Sequence, residues 1–445
     1  MINAGSTTWV LVSAALVMLM TPGLALFYGG LVRTKSVLNM MMMSFVCLAV
    51  VGVLWMIYGY SLAFGNDVGG GLLGGLEHVG LRDVSTLVGP ESDKIPLQVF
   101  AMFQLMFAII TAALLAGAIA DRAKFWSWIV FVALWVTVVY FPLAHWVFAF
   151  DGFAGPDSKG GWMANDLGLL DFAGGTVVEM NSGASALALA LVLGRRRGWP
   201  KDPMRPHNMP NVLLGAGLLW FGWFGFNAGS ALAANAVAAN AFTTSMAASA
   251  AAVVSWLVYE QVTDGRPTSL GAASGAIAGL VAITPACGFV DTWGALVIGA
   301  VAGVVCALAI KLKYRLGYDD SLDVVALHGV GGLLGTLLIG LFATAAVNPA
   351  GKDGLFYGGG LAQLGKQAVA TAVTVCYAFG VSLLLAWLVK VTIGFRVDRE
   401  VEHTGIDEAE HAESGYDLST LGATTGRGNA GIGVEFRATQ EGTDR

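Results

Sequence analysis

The sequence predicts an all-α polytopic membrane protein with eleven transmembrane helices. Three observations support this fold class: 56% of the 445 residues are hydrophobic, only 12% are charged, and long apolar runs recur from Val10 to Trp387. Soluble domains carry about 25% charged residues. Barrel strands would alternate polar and apolar residues, and these runs do not. The composition therefore favours helices that cross a bilayer.

Eleven apolar segments define the predicted helices. They are residues 8–30, 38–64, 97–119, 125–149, 173–194, 211–231, 238–262, 269–286, 291–313, 325–346 and 365–393. An odd number of crossings places the two termini on opposite sides of the membrane. Glycines at every fourth residue in Gly271–Gly279 predict close packing between helices.

Lysine and arginine are distributed unevenly among the loops, which predicts the orientation. The loops after the odd-numbered helices up to the ninth hold Arg33, Lys35, Arg122, Lys124, Arg195, Arg196, Arg197, Lys201, Arg205, Arg266, Lys311, Lys313 and Arg315. The opposite loops hold only Arg82, Lys94, Lys159 and Lys352. Cytoplasmic loops are enriched in Lys and Arg. We therefore expect the N-terminus outside and the C-terminus in the cytoplasm.

A two-fold pattern relates the fifth and tenth helices. Asp171 is followed by Glu179 after eight residues, and Asp323 is followed by His328 after five. The pattern predicts inverted five-helix repeats plus a final helix, with the ionisable groups meeting near the midplane. The helical rise places His328 about 7.5 Å beyond Asp323, which we expect slightly below the membrane interface.

Glu179 is the most unusual residue of the predicted spans. The helical rise places it roughly 12 Å deeper than Asp171, where a carboxylate costs roughly 2.5–3.5 kcal/mol on insertion scales. His328 lies at a matching depth on the related helix. We interpret Glu179 and His328 as a functional pair, although a lone histidine could instead be a packed residue bonded to a carbonyl.

Aromatic residues and one hydroxyl gather near the predicted outer ends of helices. Phe103 and Phe107 share a face of the third helix, and Trp223, Phe226 and Ser230 follow helical spacing on the sixth. Phe148 lies near the outer end of the fourth. Aromatic rings and a hydroxyl can hold a small cation, but spacing alone equally fits an interfacial aromatic belt.

Six motifs occur in order along the predicted helices. They are Leu26-Phe-Tyr-Gly-Gly-Leu31, Asp171-Phe-Ala-Gly-Gly-Thr-Val-Val178, Gly222-Trp-Phe-Gly-Phe-Asn-Ala-Gly-Ser230, Ala272-Ala-Ser-Gly-Ala-Ile-Ala-Gly-Leu-Val281, Ile283-Thr-Pro-Ala-Cys-Gly-Phe289, and Asp323 with His328-Gly-Val330. Together they resemble the ammonium transporter family (Amt/Mep/Rh), on its Amt/Mep branch. The resemblance covers about residues 5–417.

The resemblance implies a function and a set of site residues. Ammonium would be recruited at an outer site of Phe148, Trp223, Phe226 and Ser230, with Asp171 as a helix cap that biases the mouth toward cations. Ammonia would then pass a gate of Phe103, Phe107 and Phe226. The proton would be relayed by Glu179 and His328. Two departures stand out: Glu179 replaces the first of two pore histidines, and Phe148 replaces a tryptophan.

The resemblance also implies partners and location. Members form homotrimers in the cell membrane, carry ammonium or methylammonium, and dock PII-type signalling proteins on the cytoplasmic face. We expect a membrane domain over residues 1–394 and a cytoplasmic regulatory tail over residues 395–445, disordered from 418. The four cysteines lack metal-ligand spacing. We expect no metal, no cofactor, no enzymatic activity and no nucleic acid partner.

Two alternatives within the same fold stay open at this stage. One is an ammonium sensor or receptor that transports little, and the other is a Rhesus-type channel for neutral ammonia. Uptake measurements separate the first alternative from a transporter, and ammonium-evoked current separates the second. The aromatic and serine residues of the outer site favour the Amt/Mep branch over the Rhesus type.

Overall fold

A computed structural model describes residues 1–82, 86–90, 92–153, 155, 157–202 and 204–416. Among these residues, ten helices are long and apolar enough to cross a membrane, and an eleventh apolar helix is shorter. Each predicted segment corresponds to one of these helices, which confirms the all-helical membrane fold. The predicted disordered segment, residues 418–445, lies outside the described residues.

We number the helices in chain order. They are α1 (Ala4–Leu31), α2 (Thr34–Phe64), α3 (Leu97–Ile119), α4 (Phe125–Phe148), α5 (Gly175–Leu193), α6 (Met209–Gly229), α7 (Ala236–Asp264), α8 (Ser269–Ile283), α9 (Thr292–Leu316), α10 (Val325–Phe342) and α11 (Ala362–Thr392). Two short helices follow, α12 (Arg399–Thr404) and α13 (Ile406–His411). The strands β1 (Leu87–Val88) and β2 (Ile95–Pro96) pair antiparallel.

Polar side chains set where five of these helices begin. At each, an Asn, Asp or Thr accepts a hydrogen bond from the backbone N–H three residues later, which satisfies one of the otherwise unpaired amides of the first turn. The capping residues are Asn3, Asn208, Asn235, Thr268 and Asp291.

The predicted ends differ from the observed ones where a proline or a turn intervenes. Helix α8 ends at Ile283 rather than at residue 286, because Pro285 has no N–H to continue the backbone ladder. Helix α10 ends at Phe342 rather than at residue 346. The segments after the two helices are joined by a hydrogen bond, which the Thr344 N–H donates to the Phe289 carbonyl (2.8 Å).

The helices pack closely where small residues face each other, as the glycine spacing predicts. A Cβ placed on Gly279 would lie 2.6 Å from the Ala248 carbonyl oxygen, so only glycine lets α8 approach α7 this closely. Helix α1 packs along α6, and α5 packs against α10 and α11. This arrangement brings the beginnings of α5 and α10 into the middle of the bundle.

The segment after α11 lies against one face of the bundle. Phe395 accepts a hydrogen bond from the Lys124 N–H (3.0 Å), and the Val397 N–H donates to Arg122 (3.0 Å). Buried arginines join the loops of the same face: Arg196 pairs with Asp319 at 2.9 Å. This face holds the Lys- and Arg-rich loops, so it is the predicted cytoplasmic face.

Candidate functional site

Asp171 caps α5, as the sequence predicts. Its Oδ1 accepts hydrogen bonds from the N–H groups of Gly174 and Gly175 (both 2.8 Å), and its Oδ2 accepts from the Thr176 N–H (2.8 Å) and hydroxyl. Gly174 has a φ of 115°, a conformation that favours glycine. The helix begins only at Gly175, so the segment from Asp171 to Gly174 is not helical. The predicted depth of Glu179 below Asp171, which assumed a helix throughout, therefore does not apply.

Asp320, not Asp323, matches Asp171 at the beginning of α10. Asp320 Oδ2 accepts a hydrogen bond from the Val325 N–H (2.7 Å), and Asp320 precedes His328 by eight residues, as Asp171 precedes Glu179. Asp323 has a φ of 63° and therefore occupies the place of Gly174. The two helices therefore correspond at Asp171 and Asp320, three residues before Asp323.

Both helices open with a wide π-helical turn, Gly175–Met180 in α5 and Val325–Val330 in α10. Glu179 and His328 each lie within that turn. A Cβ on Gly183 would lie 2.1 Å from the Gly329 Cα. The two backbones therefore touch one turn beyond Glu179, and this contact holds the two ionisable side chains at bonding distance.

Glu179 and His328 form a buried hydrogen-bonded pair. His328 Nδ1 lies 2.6 Å from Glu179 Oε2, and the two residues are 4% and 1% exposed, respectively. An ionised carboxylate has no proton to donate, so a bond this short contains a proton from one partner or the other. The second carboxylate oxygen, Oε1, has no partner among the described residues.

The pair lines a narrow internal cavity of about 20 Å³. This volume is enough for a single small molecule the size of water. Apart from Glu179, His328 and the Tyr28 hydroxyl, which donates to the Leu114 carbonyl (3.0 Å), its walls are mainly apolar. The apolar and aromatic lining includes Met20, Leu24, Phe27, Ile110, Leu114, Val178, Leu219, Trp223, Phe226, Ile277, Leu322 and Leu327.

Two phenylalanine rings close one end of the internal cavity. The ring centroids of Phe107 and Phe226 lie 4.2 Å apart, and both residues are 1% exposed. Phe226 faces the internal cavity and Phe107 faces the next cavity along the axis. The ring centroid of Phe103 lies 4.9 Å from that of Phe107, and Phe103 lines neither cavity. Phe103 therefore supports the ring pair rather than forming part of it.

Beyond the ring pair lies a cavity of about 400 Å³, which we call the Ser230 vestibule. Its lining includes Phe148, Ser230 and Asp171, three of the residues that the family resemblance assigns to the outer site. The Ser230 hydroxyl donates to the Phe226 carbonyl (2.8 Å), so its oxygen is left to accept a hydrogen bond from another donor.

Trp223 lies elsewhere than expected. It lines the internal cavity, one helical turn from Phe226 and on the other side of the ring pair, and its Nε1 donates to the Thr284 hydroxyl (2.8 Å). Trp223 and Phe226, which the resemblance assigns to the outer site, thus both line the internal cavity and not the Ser230 vestibule.

A third cavity continues from the other end of the internal cavity. It has a volume of about 550 Å³, and the two share Phe27, Leu322 and Leu327. Its lining also includes the ion pair of Lys313 with Asp323 (2.5 Å), after which we call it the Lys313 vestibule. Two wide vestibules thus flank a narrow apolar cavity that contains one ionisable pair.

Three residues of this region were missed by sequence reasoning. Tyr28 lies in one of the quoted motifs, but nothing in its spacing indicated that its hydroxyl reaches the cavity. Nothing in the sequence indicated that the Thr284 hydroxyl accepts a hydrogen bond from Trp223. Asp320 did give one, since the eight-residue spacing to His328 repeats that of Asp171 and Glu179.

Comparisons with known proteins agree with this architecture. The model of the Ammonium Transporter Family matches residues 8–416. An ammonium transporter of Mycobacterium tuberculosis (strain ATCC 25618 / H37Rv) is 57% identical over 436 residues, covering 94% of this chain and 91% of that protein. The ammonium transporter Amt1 of Archaeoglobus fulgidus is 47% identical, covering 93% and 99%, respectively.

Solved structures show the same fold. Saccharomyces cerevisiae Mep2 is 36% identical with a TM-score of 0.81, covering 90% of this chain and 88% of that one. A structure titled Sensor Amt Protein is 30% identical with a TM-score of 0.82, covering 92% and 98%. The family consists of membrane transporters rather than enzymes, and this multi-pass chain, from its first helix to the segment after α11, belongs to the ammonium transporter family.

Proposed function

We propose that the chain transports ammonium across the cell membrane, by binding it in the Ser230 vestibule and conducting ammonia and its proton separately. The observation that supports this most is the 2.6 Å hydrogen bond between Glu179 and His328 in an otherwise apolar cavity. No other ionisable pair lies in the lining of that cavity within the described part of the chain.

Recruitment depends on the Ser230 vestibule, which faces outward in the predicted orientation. Phe148 lines it with an aromatic ring, Ser230 offers an oxygen acceptor, and Asp171 lies in the same lining. A cation over an aromatic ring gains about 0.5–2 kcal/mol, depending on its exposure to water. The site therefore fits a small cation that also donates hydrogen bonds. Ammonium and methylammonium both meet this description.

Desolvation explains why the cation does not continue intact. The idealised cost of moving an ammonium-sized ion into an apolar medium is about 20 kcal/mol, whereas a neutral polar molecule costs far less. One N–H bond breaks at the ring pair, its electrons remain on nitrogen, and ammonia enters the internal cavity. The proton passes to the Glu179–His328 pair and leaves through the Lys313 vestibule.

We further propose an assembly and a regulatory segment. The chain forms a homotrimer, residues 1–394 form the transport domain, and residues 395–445 form a cytoplasmic regulatory tail to which a PII-type protein docks. Support comes from membership of the family and from the tail's position on the Lys- and Arg-rich face. Native mass spectrometry and a pull-down with PII at several effector levels test these two points.

Electrical recording of proteoliposomes tests the proposed transport. We expect an ammonium pulse to evoke a sustained current that saturates with concentration, with a smaller current for methylammonium. Binding without uptake would indicate a sensor, and uptake without current would indicate a Rhesus-type neutral channel. Either result would contradict the proposal.

A further inference from the structure

A separate cavity lies on the predicted cytoplasmic face, between the end of α5 and the beginning of the tail. Its volume is about 610 Å³. Its lining consists of Arg195, Arg197, Arg396, Val397, Asp398, Arg399 and Glu402, and we call it the arginine pocket. It shares no lining residue with the Ser230 vestibule, the internal cavity or the Lys313 vestibule. It therefore has no part in the transport route.

The charge of the arginine pocket is unbalanced. Four arginines face two carboxylates, which leaves a net charge of 4 − 2 = +2. Both oxygens of Glu402 are already engaged, Oε1 by the Arg197 N–H (2.7 Å) and Oε2 by Arg396 Nη2 (2.7 Å). Glu402 thus neutralises Arg396 and leaves the other guanidinium groups uncompensated, apart from the exposed Asp398.

The arginines fall into a fixed group and a free group. Arg396 also donates to the Leu193 carbonyl (2.9 Å), and Arg195 donates to Gly317 (2.8 Å) with its guanidinium 5.2 Å from the Trp199 ring centre. In the part of the chain that the structure describes, the guanidinium groups of Arg197 and Arg399 have no hydrogen-bond or ion-pair partner. The arginine pocket is therefore lined by two guanidinium groups held in place by hydrogen bonds and by two that are free to bind a ligand.

The depth of the arginine pocket indicates its neighbours. Arg195 follows the end of α5 by two residues, and Arg396 follows the end of α11 by four. An extended chain advances at most about 3.6 Å per residue, so Arg195 lies within about 7 Å of the helix end. Phospholipid headgroups occupy this layer, and basic pockets between helices on the cytoplasmic side bind acidic headgroups.

We propose that the arginine pocket binds a phosphate group, for which the headgroup of an anionic phospholipid is the nearest source. Arginine presents a planar fork of donors that matches two phosphate oxygens at once, which lysine cannot do. A phosphate also has enough acceptor oxygens for both free guanidinium groups. This site goes beyond the proposed transport function and does not depend on it.

Binding of short-chain phosphatidylglycerol to the full chain in neutral detergent tests the proposal. The probes are phosphatidylglycerol, phosphatidylcholine and inorganic phosphate, and the readout is binding measured by native mass spectrometry and by the shift of the melting temperature. The pocket variant is Arg197→Gln with Arg399→Gln. Arg266→Gln with Arg315→Gln is the matched control, since these exposed arginines lie outside the pocket on the same predicted face.

We expect saturable binding of phosphatidylglycerol by the wild type and the control, and at least about tenfold weaker binding by the pocket variant, since each charge-assisted bond lost changes affinity by about that factor. The same pattern with inorganic phosphate alone would support the phosphate site and assign a soluble source. Equal loss in both double variants, or no saturable binding of either phosphate by the wild type, would overturn the proposal. Should the double variant misfold, Arg399→Gln alone takes its place.

Discussion

The Glu179 side chain differs from an imidazole in what it can do with a proton. Ionised, it only accepts hydrogen bonds, whereas a neutral imidazole donates at one nitrogen and accepts at the other. The 2.6 Å bond to His328 therefore holds one proton between two groups that the apolar cavity disfavours as isolated charges. A further proton raises the net charge of the pair by one, so the pair can take up and release a proton.

The Phe148 ring is part of the cation site that we propose in the Ser230 vestibule. Tryptophan binds a cation over its ring more strongly than phenylalanine does. At an exposed site we expect the difference in binding free energy to be less than about 1 kcal/mol. We expect Phe148→Trp to lower the half-saturating ammonium concentration by roughly 2–5-fold. Phe221→Trp is the control, since Phe221 is 55% exposed on the outer surface of α6. An unchanged half-saturating concentration in Phe148→Trp would contradict this assignment.

Asp320 makes stability depend on pH. Burial first, and then the like charge of Asp323, raise its pKa to about 6, although Lys313 opposes this shift. The folded state therefore binds a proton more tightly than the unfolded state, and wild-type stability falls as the pH rises from about 4 to 6.

We expect Asp320→Asn to remove this dependence, because an amide still accepts the Val325 hydrogen bond but does not ionise. Relative to the wild type, the variant gains stability as the pH rises from about 4 to 6, by at most about 1.4 kcal/mol per pH unit, since a single proton is involved. Melting temperatures across this range measure the effect. Curves that stay parallel for the two proteins would show that Asp320 does not titrate here.

At the scale of elements, the crossing of α5 and α10 determines the position of the ionisable pair. A Cβ on Gly183 would lie 2.1 Å from backbone atoms of α10, and backbone cannot move aside as a side chain can. We expect Gly183→Ala to separate the helices and to destabilise the protein by about 1–3 kcal/mol, with a lower melting temperature and weaker ammonium-evoked current.

Gly217→Ala is the matched control for Gly183→Ala. Gly217 also lies inside a helix, α6, but a Cβ there would meet nothing within 4 Å. We expect its melting temperature to stay at or slightly above the wild-type value, because alanine favours a helix. Equal behaviour of the two variants would mean that the α5–α10 contact is not tight.

Helices were predictable from the sequence because hydrophobicity over some twenty residues is a strong local signal. The exact ends of the helices and the way the helices pack against one another were less predictable. The cap on α5 was predictable from the family resemblance at Asp171, whereas the cap on α10 follows only from the eight-residue spacing between Asp320 and His328. The position of Trp223 depends on how α6 rotates against α8, which no local pattern specifies.

At the scale of the whole molecule, the tail after α11 is tied to the bundle by one carboxylate in particular. Asp407 in α13 accepts hydrogen bonds from the N–H groups of Leu38 (2.9 Å) and Asn39 (2.8 Å), and so caps α2 from a distant part of the chain. The Tyr416 hydroxyl also bonds to His207 Nε2 (2.8 Å). The tail therefore contacts the beginning of α2 and the loop between α5 and α6.

We expect Asp407→Ala to release the tail, since two helix amides lose their partner at about 1 kcal/mol each. Limited trypsin digestion should then cleave after Arg396 and Arg399 several times faster. The neighbouring Glu408→Ala is the control, because Glu408 is exposed. Equal cleavage rates for the two variants would contradict a docked tail.

The central claim is that the Glu179–His328 pair carries the proton that ammonium gives up. The most direct measurement is the ammonium-evoked current of proteoliposomes containing wild-type protein, Glu179→Gln or Glu179→His. The amide of Glu179→Gln keeps the shape of the side chain but takes no proton, so we predict a current at least about 100-fold smaller, while Glu179→His retains a large current. A normal current in Glu179→Gln would contradict the account.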